Sequence, residues 1–152
     1  FGWHVHEKAI LITIVPFTVI CLERLEWSQA FVRLTLVGHF SLLPLLFGAR
    51  ENALRYFLLL AHWLLCVLFI GKFHRRLHRE APTASRQYNR PLLNKRDAQL
   101  IAGMALVSVA TEWLLPAFAP HLVFLPLLLT SVYCAAWICY IFVQVTSLTL
   151  QL

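Results

Sequence analysis

Phe1-Gly2-Trp3-His4-Val5-His6-Glu7-Lys8 gathers two imidazoles, a carboxylate, an ammonium and an indole immediately before an apolar run. In an extended backbone His4, His6 and Lys8 lie on one side, with Val5 and Glu7 on the other. In a helix His4 and Lys8 share a face, Trp3 stacks over Glu7, and His6 turns away. The extended form concentrates positive and proton-exchanging groups on one surface. Such a surface suits a phosphate, with Lys8 as a point charge and the histidines as donors whose protonation can shift. The indole of Trp3 suits a sugar ring or a headgroup layer. A competing reading is an interfacial belt in which Trp3 and the histidines sit at headgroups and Lys8 snorkels. A zinc site is a third reading, since His-x-His followed by Glu supplies ligands. Only His121 and Glu51 could complete such a site on the same side, so no metal is expected.

The elements that must position these groups are helices in a membrane. Hydrophobic residues make up 60% of the chain and charged residues 13%, against about 45–50% and about 25% in soluble domains. Ala30–Phe47, Ala53–Ile70, Ala98–Phe118 and Leu125–Val145 each approach the roughly 20 residues a helical bilayer crossing needs. Ala9–Leu22 is shorter and carries Pro16, and is expected to span with help from Leu25. These blocks predict an all-α polytopic bundle of about five helices. With no initiator Met and a motif at its first residues, the chain reads as the C-terminal part of a longer protein.

Lys72, Arg75, Arg76, Arg79, Arg86, Arg90, Lys95 and Arg96 crowd one segment against a single acid, Glu80. Pro82, Ser85, Asn89 and Pro91 mark it as a solvated connector. With neither a folded domain nor interleaved aromatics around it, nucleic-acid binding is not expected. The excess of cations on cytosolic loops explains it instead, along with contact to anionic headgroups of the lipid bilayer. Parity counted from that loop places residues 1–8 in a loop on the far side, the lumen or exterior. Three spans then occupy residues 9–71, the basic cytosolic loop residues 72–97, and two spans with a cytosolic end residues 98–152. The charges agree: Arg24, Arg33 and the loop give ten cytosolic cations, against Lys8, Arg50 and Arg55 opposite.

The remaining polar and small residues read as structural. Cys21, Cys66, Cys134 and Cys139 lie in or beside apolar blocks and act as small hydrophobes. Ala98, Ala102 and Ala105 form a small-residue stripe that would let another helix approach. Glu112, His39 and His62 fall within predicted spans, where an interhelical hydrogen bond outweighs a proton relay.

Phe1 through Leu11 resembles the hallmark of the endoplasmic-reticulum glucosyltransferases that extend the dolichol-linked oligosaccharide. Gly38-His39-Phe40-Ser41-Leu42-Leu43-Pro44-Leu45-Leu46-Phe47 and Leu125-Pro126-Leu127-Leu128-Leu129-Thr130-Ser131-Val132-Tyr133-Cys134-Ala135 are similar to further stretches of that family. His4 and the late Leu-Thr-Ser-Val-Tyr-Cys run point to the branch acting second, on the monoglucosylated oligosaccharide; the branch acting first is the alternative. The resemblance implies the C-terminal part of a GT-C-type fold in the endoplasmic-reticulum membrane, motif towards the lumen. It implies metal-independent, cofactor-free, inverting transfer from a dolichyl phosphate glucose donor to a dolichyl-pyrophosphate-linked oligosaccharide acceptor. It also places the general base, an aspartate, in an upstream luminal loop. His6 is then expected at the departing phosphate, with Lys8 next. Glu7 would order Lys8 or a histidine, while Trp3 and His4 would tune acceptor choice. A non-catalytic scaffold or transporter module, with the motif as a belt, is the competing class.

Overall fold

The computed structural model describes the backbone of residues 3–46, 51–80, 91–115 and 124–150; within these, the side chains of residues 3–9, 11, 44–46, 52 and 78–80 lie outside the described ones. Five helices account for nearly all of it: α1 (Trp3–Ile20), α2 (Leu25–Leu46), α3 (Asn52–Glu80), α4 (Lys95–Val109) and α5 (Leu125–Leu150). A π-helical turn, Ala110–Leu114, continues α4. No strand occurs among the described residues.

Two helices differ in extent from the apolar blocks that predict them. α1 begins at Trp3, so the motif opens a helix instead of preceding one. No glycine or proline interrupts Trp3–Val15, and helix propagates easily through such a run once nucleated. α3 continues past Ile70 to Glu80, carrying Lys72, Arg75, Arg76 and Arg79 on its last turns. Lys and Arg are good helix formers, and cations are favoured at a helix C-terminus. The rest of the expected basic connector, up to Arg90, lies outside the described residues.

α4 starts at a reciprocal cap. The Asn94 side chain accepts from the Lys95 amide at 2.7 Å, and the Asp97 carboxylate accepts from the Asn94 amide. Two otherwise unpaired donors at the helix start are thereby satisfied.

α2 is the hub, packing against α1, α3 and α5, while α4 packs on α5. Every residue from Ala30 to Gly38 is buried. One half of the core joins Phe31, Val32 and Leu34 of α2 to Ile14, Cys21, Ile70 and Ile141. The other joins Leu36, Val37, Phe40 and Leu43 to Leu59, Leu100, Met104 and Cys134. The helices alternate in direction. Ser28 of α2 bonds the Cys21 carbonyl at 2.5 Å and lies 2.7 Å from Nε2 of His74 on α3. Those contacts bring the end of α1, the start of α2 and the end of α3 together, as parity requires.

Ala53–Leu77 within α3 and Leu125–Leu150 of α5 are each long and apolar enough to cross a bilayer. Both turn most of their apolar surface outward: Phe57, Leu65 and Phe69 on α3 and Val132, Phe142 and Val143 on α5 are at least 60% exposed. Soluble domains do not leave apolar faces of that extent uncovered, whereas hydrocarbon covers them at no cost. The fold is an all-α membrane bundle.

Close approach of helices falls elsewhere than the alanine stripe. Ala98, Ala102 and Ala105 are exposed. The tight contact is at Gly103, where an added Cβ would overlap the Tyr133 ring, whose hydroxyl donates to the Leu100 carbonyl at 2.7 Å. Gly103→Val should therefore destabilise the full-length protein by about 1–3 kcal/mol, the usual cost of overpacking. Gly71→Ala, whose Cβ would meet its nearest neighbour at 3.9 Å, should be nearly silent. Thermal midpoints in detergent compare the two, and equal midpoints would show that α4 and α5 do not meet at Gly103.

Candidate functional site

Trp3, His4, His6, Glu7 and Lys8 make up the opening turns of α1. Of the two conformations considered for the motif, the backbone adopts the helical one. Helical spacing puts His4 and Lys8 on one face, one turn apart, with His6 roughly 200° round the axis from either.

The motif's end of the bundle holds a second polar constellation. α1 runs antiparallel to α2, since a Cβ at Gly38 would lie 3.0 Å from atoms of Ile10 and Ile14. The end of α2, the start of α3 and the end of α4 therefore lie towards the same side as Trp3. There Arg55 of α3 forms an ion pair with Glu112, and the Tyr56 hydroxyl donates to the same carboxylate oxygen at 2.5 Å. Glu112 sits inside the π-helical turn. Such turns widen a helix locally and recur at functional sites. The guanidinium also lies 4.9 Å from the Tyr56 ring centroid, and buried Nε of Arg55 has no hydrogen-bond partner. Glu112 is thus an interhelical acceptor, with one carboxylate oxygen taking both donors.

The two mid-span histidines meet. The rings of His39 and His62 meet at a 46° tilt with centroids 4.4 Å apart, and within α2 Nδ1 of His39 lies 2.6 Å from the Thr35 carbonyl. This is the interhelical contact that the sequence favours over a relay.

At the opposite end lies a constellation the sequence reading passed over. Arg33, counted there among solvated cytosolic cations, is 2% exposed. Its Nε donates to Asp97 at 2.6 Å and its Nη1 to Gln144 at 3.0 Å. Asp97 therefore caps α4 and binds α2 at once. The Asn94-x-x-Asp97 spacing before an apolar run is the signal that marks the cap; nothing local marks Arg33 as its partner.

Comparison with known proteins decides between enzyme family and scaffold. The model of the ALG6, ALG8 glycosyltransferase family matches residues 1–145. The chain belongs to that family. The match takes in the Trp3–Lys8 motif, the first four helices and α5 as far as residue 145. Among relatives named dolichyl pyrophosphate Glc1Man9GlcNAc2 alpha-1,3-glucosyltransferase, the chain is 39% identical to that of Mus musculus over 142 residues, covering 92% of this chain and 25% of the relative. It is 39% identical to the Coccidioides immitis protein over 159 residues, covering 97% and 29%. It is 30% identical to the Arabidopsis thaliana protein over 141 residues, covering 92% and 28%. The chain thus spans less than a third of the length of these relatives. No solved structure matches it. As a member of the ALG6, ALG8 glycosyltransferase family, the chain contributes a membrane bundle whose α1 opens on the motif and whose α2 is enclosed by its neighbours.

Proposed function

We propose that the full-length protein carrying this chain transfers glucose from dolichyl phosphate glucose to the monoglucosylated dolichyl-pyrophosphate-linked oligosaccharide, on the luminal side of the endoplasmic reticulum. The observation that carries this reading is the likeness to relatives named for a Glc1Man9GlcNAc2 acceptor, beside a family match over residues 1–145 that includes the motif. In the reaction an acceptor hydroxyl attacks the anomeric carbon as the bond from that carbon to the phosphate oxygen breaks, with inversion. A base takes the hydroxyl proton, and the departing dolichyl phosphate gains charge. Groups preorganised around that charge lower the barrier.

His6 serves the departing phosphate, and Lys8, on the opposite face of the helix, adds charge at longer range. Glu7 orders Lys8 or a histidine; His4 and Trp3 shape acceptor choice. Glu112 is spoken for by Arg55 and Tyr56, and Asp97 by Arg33 at the far end. The base is accordingly assigned to the upstream luminal aspartate that the family resemblance implies.

Full-length protein reconstituted with dolichyl phosphate glucose should convert the monoglucosylated lipid-linked oligosaccharide to the diglucosylated one and leave the unglucosylated one unchanged. Transfer to the unglucosylated acceptor would assign the protein to the branch acting first. Absence of transfer to either would return the motif to the role of an interfacial belt. A glycosylation acceptor site placed just before Phe1 should be modified in microsomes, because parity puts that end in the lumen.

A further inference from the structure

Two cavities flank Arg96 at the end of the bundle where α3 and α4 are connected. The first, about 450 Å³, lies between the start of α2, the start of α4 and the end of α5, walled by Gln29, Arg33, Asn94, Lys95 and Gln144, with Glu26 at its side. The second, about 370 Å³, is a groove between α4 and α5 bounded by Gln99, Ala136, Trp137 and Tyr140. Arg96 lines both.

The first cavity is built for an anion. Asp97 and Gln144 take three N–H groups of the buried Arg33 guanidinium, leaving two of the five that arginine carries. With Asp97 neutralising Arg33, Lys95 and Arg96 face Glu26 alone, so the cavity is cationic. Its amides, Gln29, Asn94 and Gln144, suit a hydroxylated group beside the phosphate.

The second cavity is built for hydrocarbon. Arg96 donates to the Tyr140 hydroxyl and lies 5.7 Å from that ring's centroid. This leaves the guanidinium at the boundary between polar cavity and aromatic groove. Beyond the groove the surface is apolar, with Ile101 and Leu106 of α4 and Val132 of α5 exposed. A soluble phosphate would use only the first cavity. A ligand that fills both has an anionic, hydroxylated head and an apolar tail.

We propose that this pair of cavities is a binding site for an anionic phospholipid with a hydroxylated headgroup, such as phosphatidylinositol. Its phosphate lies between Lys95 and Arg96, its headgroup reaches towards Arg33 and the amides, and an acyl chain follows Ala136 and Trp137. The site is at the opposite end of the bundle from the glucosyl-transfer motif and does not depend on that reaction.

The test uses full-length protein in nanodiscs of phosphatidylcholine mixed with phosphatidylinositol, followed by mass spectrometry of the lipid retained after extraction into detergent. Phosphatidylinositol should be retained over phosphatidylcholine. Lys95→Gln and Arg96→Gln should each weaken retention roughly fivefold, the equivalent of about 1 kcal/mol per interfacial cation. Ala136→Trp, which fills the groove and leaves every charge in place, should weaken it as well. Lys72→Gln removes an exposed cation at the same end but outside both cavities, and should change nothing. An equal loss with Lys72→Gln would mean diffuse attraction to a basic surface and overturn the site. Full displacement by inositol phosphate, or no effect of Ala136→Trp, would reduce it to a soluble-anion pocket and overturn the lipid assignment.

Discussion

His6→Ala in the full-length protein should lower glucosyl transfer about 10²–10³-fold, the usual effect of deleting one preorganised contact to charge that develops in the transition state. Lys8→Ala should have an effect of the same order. The helical backbone at Trp3–Lys8 makes the pair informative, because residues two apart on a helix do not face each other. The two substitutions therefore probe opposite faces of one helix. Turnover in microsomes at matched expression, with donor and acceptor saturating, is the measurement. An interfacial anchor tolerates exchange, so near-normal rates for both variants would assign the motif to the headgroup layer. A silent Lys8→Ala beside a crippled His6→Ala would confine the phosphate to the His6 face. Glu112→Gln is the comparison at the same end of the bundle. The amide oxygen can still accept from Arg55 and Tyr56, so most activity should survive.

Asp97→Ala should cost about 3–5 kcal/mol of stability. It strands a guanidinium that is 2% exposed, and breaking one side of a buried ion pair leaves an uncompensated charge. It also removes the acceptor for the Asn94 amide at the start of α4, which adds to the loss. Arg33→Met combined with Asp97→Leu should recover much of that cost, because apolar replacement of both partners leaves no buried charge. Thermal unfolding of the full-length protein in detergent compares the three. If Asp97→Ala melts within a degree or two of the parent, water reaches Arg33 and the pair does not hold α2 to α4.

Neither variant removes a group from the transfer motif, which lies at the other end of α2. The two predictions thus separate chemistry from scaffold. His6 and Lys8 should change rate at constant stability, and Arg33 with Asp97 should change stability first.

The amino-acid sequence by itself determined the class of this protein, the number and order of its helices, and the motif that marks its family. Apolar blocks of bilayer length admit no other fold class, because backbone polar groups in hydrocarbon must be satisfied within the segment. The spacing of histidines, Glu7 and Lys8 identifies the family because it is local. The sequence did not determine which polar residues face water. Arg33 reads as a loop cation when only its neighbours along the chain are considered. Its burial follows from Asp97 and Gln144, 64 and 111 positions away. Likewise Glu112 is an acid within a predicted span until α3 brings Arg55 and Tyr56 to it. The alanine stripe has helical spacing, yet Gly103, on another face of α4, makes the tight contact because that face meets Tyr133. Periodicity tells which residues of a helix share a face. Which neighbour that face meets depends on long-range packing, and only the tertiary structure decides it.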